Sequence, residues 1–172
     1  ETMKKLFLIF ALTFSFIGSV YAGEVETNIA KLKSLNACGK CNLVGANLTG
    51  ANLNGANLIG ANLEKAILKW ANLKGANLTG AKLINANLSG ANLNAANLID
   101  AYLSSANLSG AELWYANLWG ADLRGVILVN AILWEAKLKA AKLIDANLKG
   151  ANLKGANLKG ADLNGADLRG AN

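Results

Sequence analysis

The chain contains no histidine and no proline, and only two of its 172 residues are cysteine. Histidine is the most common general base, and a structural zinc site takes four ligands, so these absences argue against an acid–base enzyme and a zinc centre. No serine or aspartate constellation stands out either. We therefore expect a protein that is not an enzyme and holds no cofactor or metal ion. The lack of proline indicates that backbone N–H groups are needed for a hydrogen-bonded ladder.

Leucine occurs at every fifth position from Leu43 to Leu168. Among the 26 units of residues 41–170 the most common sequence is Ala-Asn-Leu-X-Gly, and the first residue is Ala except at Cys41 and Val126. A period of five fits neither an α-helix nor a β-strand. We predict that the first and third residues point inward and that the chain turns a corner once per unit, which makes a solenoid. The larger Val126 is expected to cause a small local bulge.

The pattern of a small residue, Asn or Asp, Leu and two variable residues resembles the pentapeptide repeat family. The resemblance covers residues 41–170, and a partial unit, Ala171 and Asn172, follows. It implies an all-β fold, a right-handed, four-sided parallel β-helix over residues 41–172, with four units per coil and Leu stacked inside. Residues twenty apart would then lie above one another. At about 4.8 Å per coil, the rod would be roughly 30 Å long.

The N-terminal segment has a different composition from the repeats. Basic residues precede an apolar run, residues 6–17, and small residues follow as far as Ala22. This order predicts a secretory signal peptide, residues 1–22, and export to the periplasm or the exterior of a bacterium. The run is short for a membrane span of about 20 residues, so we expect no stable membrane insertion after cleavage. Glu1 and Thr2 precede the start methionine and are interpreted as an extension.

Residues 23–40 form a predicted N-terminal cap segment. Apolar side chains recur there at helical spacing, which predicts a short amphipathic helix. These side chains are Val25, Ile29, Leu32 and Leu35. The helix is expected to cover the first coil, because a solenoid end otherwise exposes apolar core and unpaired backbone.

Cys38 and Cys41 lie where the repeats begin. In an exported protein they are candidates for a disulfide. A redox site would need a strand-to-helix setting that this sequence lacks, and haem attachment would need His where Asn42 stands. We therefore favour a structural role, with the two cysteines paired or buried.

The largest group of departures from the consensus lies between residues 112 and 134. The twenty-residue register places Trp114 and Trp134 one above the other, with Tyr115 at the adjoining corner, Trp119 on the next face and Ile132 on the same face. We predict that these five residues form an apolar and aromatic surface that binds a protein. The alternative is that the aromatic side chains only stack along the ladder and stabilise it.

The net charge is positive, and without residues 1–22 it is about +5. The register also stacks Asp122, Lys142 and Asp162 as an alternating charge ladder, which is interpreted as ordinary surface. Some pentapeptide repeat proteins are acidic rods that resemble DNA. This chain is basic and carries a predicted export signal, so a DNA-mimic role is rejected, and no nucleic acid partner is expected. Nonspecific attraction of the basic chain to an anionic envelope surface is left open.

Two functions remain from the sequence. The first is an exported, non-enzymatic module that binds an unidentified protein through the aromatic surface. The second is a structural envelope spacer without a specific partner. The repeat pattern also runs to Asn172 without a cap, which predicts a weak homodimer through the open C-terminal coil.

Overall fold

The computed structural model describes residues 20 and 22–172. Apart from residues 20 and 22, the predicted signal peptide lies outside the described residues. Helix α1 comprises residues 22–35, and residue 20 is also helical. Every later unit consists of one bridge residue and a two-residue turn. Among the described residues, no helix is both long and apolar enough to cross a lipid bilayer.

The β-bridges define a four-sided coil. Each bridge is parallel and joins the second residues of units that lie twenty residues apart, as in Asn52↔Asn72 and Asn72↔Asn92. We number the residues of a unit as positions 1 to 5. Sides 1 to 4 are the columns of stacked units that contain residues 41–45, 46–50, 51–55 and 56–60, respectively. Positions 4 and 5 form the corner to the next side, so the 3/4 corner joins side 3 to side 4.

Leu at position 3 and Ala at position 1 fill the interior. From Ala56 to Ala151 all of these side chains are at most 1% exposed, and they form one continuous apolar column. A leucine is predicted to stabilise such a column by about 1.5 to 3 kcal/mol when fully buried. The predicted inward and outward positions are therefore confirmed.

The backbone N–H groups of an average unit explain why position 2 prefers Asn or Asp. The N–H groups of positions 2, 3 and 5 bond to neighbouring coils, and that of position 1 bonds to the Leu carbonyl three residues earlier. Only the N–H of position 4 has no backbone acceptor. Wherever position 2 is Asn or Asp, its Oδ1 accepts this bond, as in Ser89 N–H to Asn87 at 3.1 Å. A net contribution of about 1 kcal/mol per bond is typical.

Position 5 has a positive φ in every unit from Gly45 to Gly165, as the third residue of a type II turn requires. Glycine adopts this conformation without strain, which explains its frequency there. A larger residue at position 5 lies over the next coil. The ring of Trp70, for example, leaves no room for a Cβ atom on Gly90.

Helix α1 covers the first coil as predicted. Ile29 and Leu32 are buried, and the Nδ2 of Asn28 donates to the carbonyl of Asn42 at 2.9 Å. Leu35 was also predicted to pack there, but it is 66% exposed. The helix ends at this residue, and Asn36 adopts a positive φ of 50°, which turns the chain away from the helix axis.

The ladder begins one unit earlier than the boundary predicted at residue 41. Ala37 is bridged to Asn57, and Cys38 is 1% exposed in the place that Leu has elsewhere. Cys38 forms a disulfide with Cys41, which occupies the inward first position of its unit. The sequence of residues 36–40 lacks the Leu of the pattern, so the pattern does not predict this unit.

The bulge predicted at Val126 is absent from the ladder. Val126 is fully buried, and the next coil bonds to its carbonyl through the N–H of Asn147 at 2.9 Å. The interior therefore accommodates two additional methyl groups without a break in pairing. The last described coil is less buried, and Leu168 is 41% exposed. A weak homodimer through this coil stays a prediction.

Candidate protein-interaction surface

Three aromatic side chains meet at the 3/4 corner. Trp114 and Tyr115 are the turn residues of one side-3 unit, and Trp134 occupies the same corner one coil later. The Trp114 and Trp134 ring centroids are 5.4 Å apart with the ring planes at 85°, and the Tyr115 and Trp134 centroids are 5.7 Å apart. Edge-to-face pairs of this kind add about 0.5 to 1.5 kcal/mol beyond burial. We call these three residues the aromatic corner.

A polar network fixes the base of the aromatic corner. Position 2 of this unit is Glu112, whose carboxylate does not bond to the N–H of Trp114 but accepts a bond from the Nδ2 of Asn94 at 2.9 Å. The Oδ1 of Asn94 in turn accepts the N–H of Trp114 at 2.9 Å. One carboxamide from the coil before thus replaces the usual acceptor.

The aromatic corner remains open to a partner in spite of these ring contacts. Trp114 is 39% exposed and Tyr115 is 54% exposed, whereas Trp134 is partly buried. A large aromatic area that is held rigid and still accessible is typical of binding hot spots.

Apolar residues continue from this corner around the same coil. Ile132 lies at the centre of side 3, Val129 at the 2/3 corner and Ile127 on side 2. Ile127 is exposed, and the other two are partly buried. Together with Trp134 they form an apolar belt around half of one coil, with Ile132 in the middle.

Trp119 is not part of this cluster. It lies at the 4/1 corner, is 50% exposed, and has the Nζ of Lys139 at 5.4 Å from its ring centroid. The structure thus brings together Trp114, Tyr115 and Trp134, places Ile132 beside them and separates Trp119. We define the interaction surface as the aromatic corner and the apolar belt.

The coil of residues 126–145 departs from the consensus more than any other part of the ladder. Its four units lack Asn and Asp at position 2, where they carry Ile127, Ile132, Lys137 and Lys142. Within the described residues no side chain accepts the position-4 N–H of these units. All four corners are also non-glycine residues with φ near 56°, namely Asn130, Glu135, Ala140 and Asp145.

These departures are unfavourable for stability. Each lost bond is worth about 1 kcal/mol, and each non-glycine residue in this conformation costs roughly 1 kcal/mol. The sequence contained the signal, since residues 126–145 lack Gly entirely. Its meaning was missed because the role of Asn at position 2 emerges only from the backbone hydrogen bonds.

The predicted ladder of Asp122, Lys142 and Asp162 is present in register. The ion-pair partner of Asp122, however, is Arg124 of its own unit, whose Nη2 lies 2.5 Å from the carboxylate. Hydrogen bonding by the Arg124 guanidinium lowers the pKa of Asp122 below its usual 3.8, against the opposing effect of desolvation. Asp167 and Arg169 repeat this arrangement, and the pKa of Asp167 is lowered as well.

In the described part of the chain, no three Asp, Glu or Cys side chains lie close enough together to hold a metal ion.

A four-sided coil of five-residue units with stacked Leu defines the class of pentapeptide repeat β-helices, which are right-handed. The family model described as pentapeptide repeats matches residues 41–80, 71–110, 106–143 and 136–172. The chain belongs to the pentapeptide repeat family. Members of this family are in general non-enzymatic structural modules.

Solved structures of three pentapeptide proteins illustrate the similarity. HetL of the cyanobacterium Nostoc sp. strain PCC 7120, which is involved in heterocyst differentiation regulation, is 34% identical over 78% of this chain and 77% of its own, with a TM-score of 0.29. Rfr23 of the cyanobacterium Cyanothece 51142 is 27% identical over 86% and 95%, with a TM-score of 0.31. QnrB1, a plasmid-mediated fluoroquinolone resistance protein, is 21% identical over 79% and 81%, with a TM-score of 0.40. No curated protein matches the chain.

Proposed function

We propose that the protein is an exported, non-enzymatic and rigid module that binds a partner protein through the interaction surface. The observation that carries this proposal is the coil of residues 126–145. It gives up backbone hydrogen bonds and unstrained corners, and it presents Ile127, Ile132 and Trp134 to solvent instead. Sequences depart from locally stable patterns mainly at functional sites, where another requirement outweighs stability.

The composition of the surface favours a protein partner. Protein interfaces have an apolar, aromatic core and a polar rim. Here Ile132 lies between Val129 and Trp134, and polar residues surround them, including Asn94 on the coil two before and Lys154 on the coil after. Trp and Tyr are also the residues most enriched among interface hot spots.

Two features support export. The N-terminal segment has the basic, apolar and small-residue parts of a signal peptide. In addition, the Cys38–Cys41 disulfide is of the kind that persists in oxidising compartments such as the periplasm.

The test compares the wild-type chain with an Ile127→Asn/Ile132→Asn variant as bait in an envelope extract. The variant restores the preferred residue at both positions and removes the centre of the belt. A matched control is Ile67→Asn, because Ile67 occupies the same position on side 2 and is 40% exposed, close to the 38% of Ile127. Captured proteins are identified, purified and tested for direct binding to each bait.

We expect a protein that binds the wild type and the Ile67→Asn control directly and binds the double variant at least tenfold more weakly. A Trp114→Ser/Trp134→Ser variant that still folds should lose the same partner. If every bait captures the same proteins, or none, the interaction surface does not bind a partner and the structural spacer is the better description.

A further inference from the structure

A second exposed edge runs along the 4/1 corner, away from the interaction surface. Its position-4 residues, one per coil, are Ile59, Thr79, Ile99, Trp119, Lys139 and Lys159. Ile59 is 40% exposed and Trp119 is 50% exposed, so apolar side chains protrude from a convex edge. With one coil every 4.8 Å or so, the edge extends about 24 Å. We call it the basic edge.

Positive charge is concentrated at one end of the basic edge. Lys139 and Lys159 lie on the edge itself, and Lys137 lies beside them at the centre of side 4. The ion pairs of the described residues involve Arg124, Lys149 and Arg169, and none of these three lysines takes part in one.

Side 4 contributes no carboxylate near these lysines, whereas the adjoining side 1 carries Asp122, which is paired with Arg124, and Asp162. The side-4 units of residues 116–120, 136–140 and 156–160 contain no Asp or Glu. The acidic residue of the edge is Asp100, whose carboxylate is directed at Gly120 of the next coil. Along the edge, the apolar side chains are thus followed by three lysines that form no ion pair among the described residues.

We propose that the basic edge docks the protein onto an anionic lipid surface. Trp at a lipid–water interface places its ring among the headgroups, and Lys keeps its ammonium group at the anionic phosphates while its stem covers apolar surface. Each lysine near such a surface contributes enough attraction to change partitioning about fivefold. The edge supplies both kinds of residue in one line on a rigid scaffold.

The arrangement of the edge fits a lipid surface better than a protein. A protein interface has its apolar residues at the centre, as the interaction surface does. Beside the basic edge the centre of side 4 is polar, with Asn97, Asn117 and Lys137, and the apolar residues form only the protruding rim. A convex rim with charged neighbours enters a headgroup layer readily but fills no pocket.

The two surfaces lie on different parts of the rod. The 4/1 corner is diagonally opposite the 2/3 corner, where Val129 belongs to the interaction surface. The coil of residues 126–145 therefore has an apolar half on sides 2 and 3 and a basic half that includes Lys137 and Lys139. The lipid proposal does not depend on the proposed protein partner.

The test measures sedimentation of the full chain with vesicles of equimolar phosphatidylglycerol and phosphatidylcholine, and with vesicles of phosphatidylcholine alone. The informative variant is Trp119→Ser/Lys139→Glu. Its matched control is Trp70→Ser/Lys69→Glu, because the Nζ of Lys69 lies 4.0 Å from the Trp70 ring at a different corner. Both variants lose one Trp and reverse one Lys, and every chain carries the same N-terminal segment. Tryptophan emission is recorded in parallel, and soluble polyglutamate serves as an acidic polypeptide probe.

We expect the control to bind anionic vesicles like the wild type and the Trp119→Ser/Lys139→Glu variant to partition at least fivefold more weakly, with binding reduced at high salt. The wild-type emission should shift to shorter wavelength on anionic vesicles, and this shift should be smaller in the Trp119 variant. Equal partitioning of both variants, or no preference for anionic lipid, would overturn the proposal. Binding to polyglutamate but not to vesicles would also overturn it, since the edge would then be a site for an acidic protein.

Discussion

At the residue scale, Asn is the most frequent polar residue of the repeat because of the carboxamide that it supplies at position 2. It accepts the single backbone N–H that neither the ladder nor the turn uses, as Asn147 does for Lys149 at 3.2 Å. Its outward position was predicted from the sequence, but its bonding partner was not. The pattern shows which positions face inward, whereas the backbone N–H that lacks a partner is visible only once the turn geometry is known.

Glycine at position 5 has two separable roles. Gly75 only needs a positive φ, since nothing lies within 4 Å of a Cβ atom built there, whereas Gly90 also lies under the ring of Trp70. We predict that Gly75→Ala lowers the free energy of unfolding by about 1 kcal/mol and that Gly90→Ala lowers it by more.

Chemical denaturation of these variants checks the prediction. Adding Trp70→Ala to Gly90→Ala should reduce the loss to that of Gly75→Ala, because the clash is removed and only the backbone strain remains. Equal losses for the two single variants would show that the Trp70 ring does not restrict Gly90.

The Asp122–Arg124 ion pair makes stability depend on acid. Because the folded-state pKa of Asp122 is below its usual 3.8, the carboxylate stabilises the fold above that pH, and this contribution is lost as the pH falls through the lowered value. In Asp122→Asn the side chain retains the oxygen that accepts the N–H of Arg124 but loses the charge.

At neutral pH the free energy of unfolding should therefore be higher for the wild type than for Asp122→Asn. It is measured for both proteins from pH 7 downward. The two curves should converge once the pH is well below 3.8. A difference that stays constant through the acid range would contradict the assigned role of this carboxylate.

At the scale of elements, helix α1 was predicted from apolar spacing, and its buried Ile29 and Leu32 confirm this. The exposure of Leu35 could not be foreseen, because helical spacing gives the face of a residue but not where the helix leaves the coil. The early start of the ladder at Ala37 was hidden for a related reason. Cys38, which is disulfide-bonded to Cys41, occupies the position that Leu has in the other units, and the sequence pattern does not show that the two residues are equivalent.

The coil of residues 126–145 should exchange its position-4 amide protons faster than the neighbouring coils. The N–H groups of Trp134 and Lys139 lack the acceptor that protects those of Lys149 and Lys159. We predict that Lys137→Asn, which restores the missing acceptor, slows the hydrogen exchange of the Lys139 amide as measured by NMR. Equal rates in all coils, or no effect of this substitution, would show that the side-chain bond does not protect the amide.

At the scale of the whole molecule, contacts join only adjacent coils, so damage should stay local. Leu32 is fully buried between helix α1 and the first coil, and Leu32→Ala is expected to cost about 2 to 5 kcal/mol of local stability. Hydrogen exchange should rise at Leu43 and Leu48 and remain unchanged near Leu133. A uniform rise along the rod would indicate that the coils unfold as one cooperative unit.

The solenoid and its inward positions could be predicted from the period of five, because 26 units repeat one pattern, whereas the four sides and the twenty-residue register followed from the resemblance to the pentapeptide repeat family. The site could be predicted only in part. The twenty-residue register gives the stacking of Trp114 and Trp134 and places Trp119 on the next face, but it does not give the ring contacts that leave Trp119 outside the cluster. The periodic part of the sequence determines the scaffold, and the interaction surface that we propose consists of the few units that break the period.

The central claim is that the apolar residues of the coil 126–145 serve binding at the expense of stability. The free energy of unfolding of Ile127→Asn/Ile132→Asn, compared with that of the wild type, tests it most directly. Our account predicts no net loss, because each new carboxamide gains a backbone hydrogen bond of about 1 kcal/mol that offsets the lost apolar contact. A loss of more than about 2 kcal/mol, as expected for removing well-packed apolar side chains, would contradict it and show that these residues stabilise the rod.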